Sequence, residues 1–170
     1  MSGPEPLFRV LFVCTGNTCR SPLAEAALVR ALGEDASRVE VRSAGTAAFD
    51  GSPASSTSRE VARKAGLDLE RHKSRRLGRD QLQGVDLVLL MDPADRSLVR
   101  SLDPEAADQT FGLADFGVES PAGEAIADPF GGSIEAYEEC LRRIEGHLQR
   151  VVPYIRAELR ERTVSARKPS

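Results

Sequence analysis

Tryptophan is absent from the 170 residues and aromatic side chains make up only 5% of them, yet the apolar share of 41% and the charged share of 29% are those of a globular chain. A disordered or fibrous protein is thereby excluded. Excess positive charge is missing too. The net charge is −3 and the pI is near 5.5, which argues against nucleic acid as a partner and requires any anion site to be local. Cysteines are few: Cys14, Cys19 and Cys140 form an odd set without CxxC spacing, unlike a disulfide framework or a zinc site. No carboxylate/histidine cluster has metal-ligand spacing, so no metal and no cofactor is expected. The apolar run at 10–13 is far shorter than the ~18 residues of a membrane span and carries no cleavage pattern. These absences place the protein in the cytoplasm, away from the membrane. The length suits one domain, and no internal repeat suggests a second.

What the chain does contain is an alternation of strand and helix patterns. Residues 7–14 read as a buried strand ending at a Gly/Asn/Thr turn. A helix follows, with Ser21 as N-cap, Pro22 in the first turn, Leu23, Ala27, Leu28, Ala31 and Leu32 on one face, and Gly33 at its end. Residues 39–44 form a second strand, 45–56 a loop and 57–64 a helix. The unbroken apolar run 85–91 is the strand pattern of a parallel sheet buried on both faces, and Asp92-Pro93 opens another helix. Residues 110–113 make a weaker fourth strand. From Ser133 onward, Ile134, Tyr137, Leu141, Ile144, Leu148, Val151, Ile155 and Leu159 step by three and four, giving a long amphipathic helix that Pro153 should kink. Residues 1–6 are expected to be a flexible leader, 7–161 the folded domain and 162–170 a disordered basic tail. The fold class is therefore α/β: a single domain with a four-stranded parallel sheet flanked by helices. In such sheets ligands bind beyond the carboxyl ends of the strands, which directs attention to the loop after the first strand.

That loop is Cys14-Thr15-Gly16-Asn17-Thr18-Cys19-Arg20-Ser21. Leading into a helix N-terminus, its backbone N–H groups can converge on an anion and cradle phosphate. Gly16 permits close backbone approach and Asn17 tolerates left-handed geometry. Cys14, at the mouth of the cradle beside Arg20 and the helix dipole, is placed as a nucleophile. Arg20 offers two parallel N–H donors to phosphoryl oxygens and can follow the charge into the transition state. The Ser21 hydroxyl can donate to the sulfur or serve as a plain N-cap, and the spacing leaves both open.

The stretch Val13-Cys14-Thr15-Gly16-Asn17-Thr18-Cys19-Arg20-Ser21-Pro22 resembles the signature loop of low-molecular-weight protein tyrosine phosphatases. Ser43-Ala44-Gly45-Thr46, His72 with Arg75, Met91-Asp92 and Asp128-Pro129 resemble further landmarks of that family, in its order, so that the similarity covers roughly residues 8–150. The resemblance implies a flavodoxin-like fold and a two-step reaction through a phosphocysteine at Cys14. Asp128 would serve as general acid, then as base for the attacking water. A poor leaving group independently demands such an acid. The resemblance also implies that Asn17, Ser43 and His72 hold the loop in a strained shape, and that Cys19 can form a reversible disulfide with Cys14. His147 reads as solvated and Cys140 as core.

Thr18 stands where tyrosine-directed members tend to carry a larger aliphatic residue, and Phe130-Gly131-Gly132 stands where they tend to carry aromatics. With Gly51-Ser52-Pro53-Ala54-Ser55 this pattern is similar to the protein arginine phosphatase branch. The implied substrates are phosphorylated proteins, phosphoarginine before phosphotyrosine, with Thr18 and Phe130 lining the substrate pocket. An arsenate reductase would need a further relay cysteine between Arg20 and Glu139, where none exists. A phosphocysteine carrier or a phosphoprotein-binding module would not need the full set of Cys14, Arg20 and Asp128.

Overall fold

The computed structural model describes residues 7–167. Four parallel strands lie in the order β2-β1-β3-β4: β1 Phe8–Cys14, β2 Val39–Gly45, β3 Leu87–Leu90 and β4 Thr110–Gly112. Central β1 pairs on one side with β2 (Val10 opposite Val41) and on the other with β3 (Val10 opposite Leu87). The chain leaves β1 toward β2 and returns past it to β3, so the switch point lies at the carboxyl end of β1, where Cys14 sits.

Alternation along β1 explains its continuous apolar sequence. Phe8, Val10 and Phe12 face a core completed by α1 (Arg20–Leu32), α2 (Ser56–Lys64) and α5 (Ile134–Ala166), through Leu23, Leu28, Val61, Leu141, Ile144 and Leu148. Leu11 and Val13 face the opposite core, formed with Leu82 of α3 (Arg79–Leu82) and Val99 of α4 (Arg96–Leu102). Both faces of β1 are dry, and each large side chain so buried contributes about 1.5–3 kcal/mol. The end of β1 is thus held on rigid supports.

Several local expectations are corrected. The helix after the first loop starts at Arg20, with Cys19 in the cap position and no side-chain cap, so Ser21 is not an N-cap and its hydroxyl is free for another partner. The third strand is shorter than the apolar run 85–91: the Met91 N–H still donates to the Val13 carbonyl (2.8 Å), but the Met91 carbonyl accepts from the Ile126 N–H (2.8 Å) of the loop before the last helix. After Asp92-Pro93 a 3-10 turn, Pro93–Asp95, precedes α4. Pro153 lies inside the last helix at an exposed position, where its ring removes one backbone donor from the helical ladder.

The expected disordered tail is corrected most clearly, since α5 continues to Ala166. Arg162 donates to the Leu7 carbonyl (2.6 Å), pairs with Asp86 (2.8 Å) and lies over the Phe8 ring, while Arg38 donates to Thr163 Oγ1 (2.6 Å). These contacts fix the last turns against β1. The expected leader, 1–6, and the end of the tail, 168–170, lie outside the described residues.

Candidate active site

Asn17 is the keystone of the loop between β1 and α1. It is fully buried and has φ +55°, a left-handed conformation that asparagine tolerates better than most residues. Its Nδ2 donates to Ser21 Oγ (2.8 Å) and Ser43 Oγ (2.9 Å), and its Oδ1 accepts from the Arg75 backbone N–H (2.8 Å). Its carbonyl lies 2.7 Å from His72 Nε2, and its own N–H donates to Cys14 Sγ at 3.3 Å. Every polar group of this residue therefore has a partner, which is what holds a strained residue in a buried position.

Cys14 Sγ lies 2.9 Å from Ser21 Oγ. A deprotonated sulfur has no proton to give, so in that state the Ser21 hydroxyl is the donor, oriented by the bond it accepts from Asn17. Behind this network Ser43 Oγ donates to Glu25 Oε2 at 2.5 Å. Burial pushes the Glu25 carboxyl up, against the lowering influence of Ser43, His72 and Arg75. Glu25 was not legible as a site residue. Its one signal is a carboxylate one helical turn after Ser21.

Gly45, at the end of β2, sits against the same loop. A Cβ there would lie 2.6 Å from the Thr15 carbonyl oxygen and 2.9 Å from the Asn17 nitrogen. Adjacent N–H groups clamp the loop from below, Thr46 to the Cys14 carbonyl and Ala47 to that of Thr15, both at 2.9 Å.

Arg20 is 6% exposed and faces the loop before α5. One of its terminal nitrogens donates to the Ile126 carbonyl (2.9 Å); the other reaches Thr15 Oγ1 (3.3 Å) and Asp128 Oδ2 (3.4 Å). Asp128 is about half exposed, and the Phe130 N–H donates to its Oδ1 at 3.1 Å. A cleft of about 200 Å³ is lined by Cys14, Thr15, Gly16, Thr18, Cys19, Arg20, Asp128 and Phe130. The structure thus gathers the residues singled out in sequence around one cleft, with Asn17, Ser21, Ser43 and His72 behind it. Phe130 is 74% exposed and forms an open wall.

All three cysteines are free thiols. Cys19 is buried, with Ser55 Oγ at 3.5 Å and the Tyr137 hydroxyl at 3.6 Å. Cys140 is core, and burial pushes its thiol up to about 12. His147 departs from the solvated reading: its Nδ1 lies 3.0 Å from Arg150 Nη2, and burial, then Arg150 and Arg143, push its pKa down.

The sequence matches the low molecular weight phosphotyrosine protein phosphatase family over residues 9–164. The chain is 38% identical over 151 residues to a protein-arginine-phosphatase of Geobacillus stearothermophilus, covering 89% of this chain and 98% of that one. It is 35% identical over 148 residues to EpsP of Ralstonia nicotianae, named a probable low molecular weight protein-tyrosine-phosphatase, covering 87% and 96%. Among solved structures, the YwlE arginine phosphatase from Geobacillus stearothermophilus superimposes with a TM-score of 0.80 at 37% identity, covering 91% of this chain and 96% of that one. A low molecular weight protein tyrosine phosphatase from T. tengcongensis gives 0.77 at 38% identity, covering 86% and 99%. The chain belongs to the low molecular weight protein tyrosine phosphatase family, whose members are protein phosphatases.

Proposed function

We propose that the chain hydrolyses phosphorylated protein side chains through a phosphocysteine at Cys14, with phosphoarginine as the preferred substrate. The observation that carries the reaction is the convergence of Cys14 Sγ, Arg20 and Asp128 on one small cleft. In the first step the phosphate dianion takes the loop N–H groups and Arg20 as partners. This draws Arg20 from its 3.4 Å contact with Asp128 and frees that carboxyl to face the leaving group. The sulfur attacks phosphorus, the phosphorus–nitrogen bond breaks, and protonated Asp128 delivers its proton to the departing guanidine nitrogen. In the second step the Asp128 carboxylate takes a proton from water as the water oxygen attacks phosphorus. Inorganic phosphate leaves, and the Cys14 thiolate is received by the Ser21 hydroxyl.

The substrate preference rests on the cleft wall. Thr18 and Asp128 both line it and offer oxygen acceptors suited to guanidinium N–H groups, while the glycines after Phe130 add no second aromatic wall. Losing such a wall removes stacking worth about 0.5–1.5 kcal/mol for a phenyl ring. The similarity to proteins named arginine phosphatases supports the same choice. The alternative, phosphotyrosine, is favoured by Phe130, whose exposed ring can still meet one face of a phenol. Free thiols suit a reducing cytoplasm, where phosphorylated proteins are the expected partners.

The test is kcat/KM for matched phosphoarginine and phosphotyrosine peptides in reductant, with Cys14→Ser as control. Preference for phosphoarginine that vanishes in the control supports the reading. Preference for phosphotyrosine keeps the chemistry and overturns the assignment of Thr18, and turnover of neither makes the chain a carrier or a binding module. Thr18→Ile should move the ratio of the two constants several-fold toward phosphotyrosine, the worth of one hydrogen bond of about 0.5–1.5 kcal/mol. An unchanged ratio would remove Thr18 from the argument.

A further inference from the structure

Behind the phosphate loop the molecule carries a second, larger concavity of about 340 Å³, framed by Arg42, Arg71, Lys73 and Arg75, with Ser43 and His72 among its lining residues. Its volume lies within the ~300–1,000 Å³ of small-molecule sites. Three of these cations belong to the run Arg71-His72-Lys73-Ser74-Arg75-Arg76, which contains no acid although the whole chain is net negative. Several surface cations elsewhere in this fold are matched, Arg30 with Glu145, Arg59 with Glu70, Arg142 with Glu139, Arg156 with Asp35, while the cations of this hollow stand out by lining one concavity together. Arg71, Lys73 and Arg75 make no ion pair within 4 Å among the described residues, and Arg42 is paired with Glu40. Cations gathered around a hollow in excess of its carboxylates repel one another, and an anion entering the hollow relieves that repulsion. The lining holds a single acid, Glu25, which is turned to Ser43; burial pushes its carboxyl up while Ser43, His72 and Arg75 lower it, and it stands alone against four cations.

The hollow is wired to the catalytic loop. Ser43, His72 and Arg75 line it, and each bonds to Asn17, through the Ser43 hydroxyl, the His72 ring and the Arg75 backbone N–H. Asn17 in turn contacts Cys14 Sγ and orients Ser21. We propose that this hollow is a second anion site, for a small molecule bearing two or more linked phosphates, and that its occupancy is transmitted to Cys14 through Asn17. Two linked phosphates bring more charge and more acceptor oxygens to a lining of four cations than a single phosphate does. A concave site favours a small ligand over an extended polyanion.

Pyrophosphate is a suitable probe, and the test does not depend on which phosphorylated side chain the enzyme prefers. Calorimetric titration should find two sites on the wild-type protein, the active cleft and the hollow. It should find one on the Arg71→Ala/Lys73→Ala double variant, whose affinity at the hollow falls roughly tenfold or more with the loss of two charged donors. With an aryl phosphate at saturating concentration, pyrophosphate should change the wild-type kcat at least about twofold, beyond its competition for the cleft. The double variant should keep the basal kcat and KM and show competition alone. One site on the wild type, equal stoichiometry in both proteins, or purely competitive inhibition throughout overturns the proposal. If the double variant instead loses affinity for an acidic phosphoprotein while pyrophosphate binds once, the basic run serves a macromolecular contact and the second site does not exist.

Discussion

Gly45→Ala tests whether the close approach of β2 to the phosphate loop is what shapes the site. The backbone of Gly45 has no positive φ, so alanine is disfavoured there by space alone. The added Cβ would stand 2.6 Å from the Thr15 carbonyl oxygen, and ordinary contact begins at 3.4 Å, so about 0.8 Å of movement is required. The atoms met are mostly backbone and already tied: the Thr15 carbonyl accepts from Ala47 N–H, and the Asn17 nitrogen, 2.9 Å from the new carbon, donates to Cys14 Sγ. The loop therefore has to shift as a unit. Misplacement on this scale costs about 100-fold in rate, and overpacking of about 1–3 kcal/mol lowers Tm by roughly 2–12 °C for a chain of this size. Steady-state kcat/KM with an aryl phosphate, with Tm measured alongside, reads both effects. Gly146→Ala is the control, since a Cβ on that helical glycine meets nothing within 4 Å and should leave kcat/KM unchanged. A folded Gly45→Ala protein that keeps more than about a third of wild-type kcat/KM would refute the argument that this contact positions the loop.

Three further outcomes follow from the same geometry. Arg20→Lys keeps the charge, but one ammonium cannot hold the Ile126 carbonyl and also present a planar pair of donors to phosphate, so kcat/KM should fall by at least about 100-fold; steady-state kinetics checks it. Asp128→Asn should lower kcat by about 10²–10⁴-fold for substrates with poor leaving groups and by much less for an activated aryl phosphate, a contrast seen by comparing the two. For His147, whose pKa lies below the usual 6.5 through burial and then Arg150 and Arg143, the fold favours the neutral ring. Its contribution to stability is complete above about pH 6.5 and is lost as pH falls toward the depressed value. The Tm difference between about pH 7.5 and pH 5.5 should accordingly be smaller in His147→Gln than in wild type.

The fold was legible wherever one element carries its own periodicity. The strand ending at Cys14, the helix facing it with Leu23, Ala27 and Leu28, and the long stripe from Ile134 to Leu159 announce themselves because burial selects one face of each. The end of the last helix was not legible. Residues 162–166, Arg-Thr-Val-Ser-Ala, bury no apolar side chain of their own, and they are ordered by contacts from remote positions, Asp86 and Phe8 for Arg162, Arg38 for Thr163. Local composition carries no trace of such partners. The same limit applies to Ser21: sequence leaves its hydroxyl open between a cap and the sulfur, and only the placement of Cys14 and Asn17 in space decides for the sulfur.

At the site, the groups that touch substrate in the proposed reaction were readable because their chemistry is unusual for their position: a thiol and a guanidinium at the two ends of a short loop. The groups that hold them were only partly readable, because backbone atoms do much of the holding. The Arg75 N–H, the Ile126 carbonyl and the N–H groups of Thr46 and Ala47 contribute no side-chain signature. Asn17 integrates these contacts, since a left-handed buried residue is tolerable only when each of its polar atoms is matched. Removing its carboxamide would leave the Arg75 N–H unpaired, release Ser21 and disconnect Ser43, all from one truncation. The loop therefore answers to groups that never meet the substrate, and three of them, Ser43, His72 and Arg75, also line the basic hollow, which is why an anion bound there would be felt at Cys14.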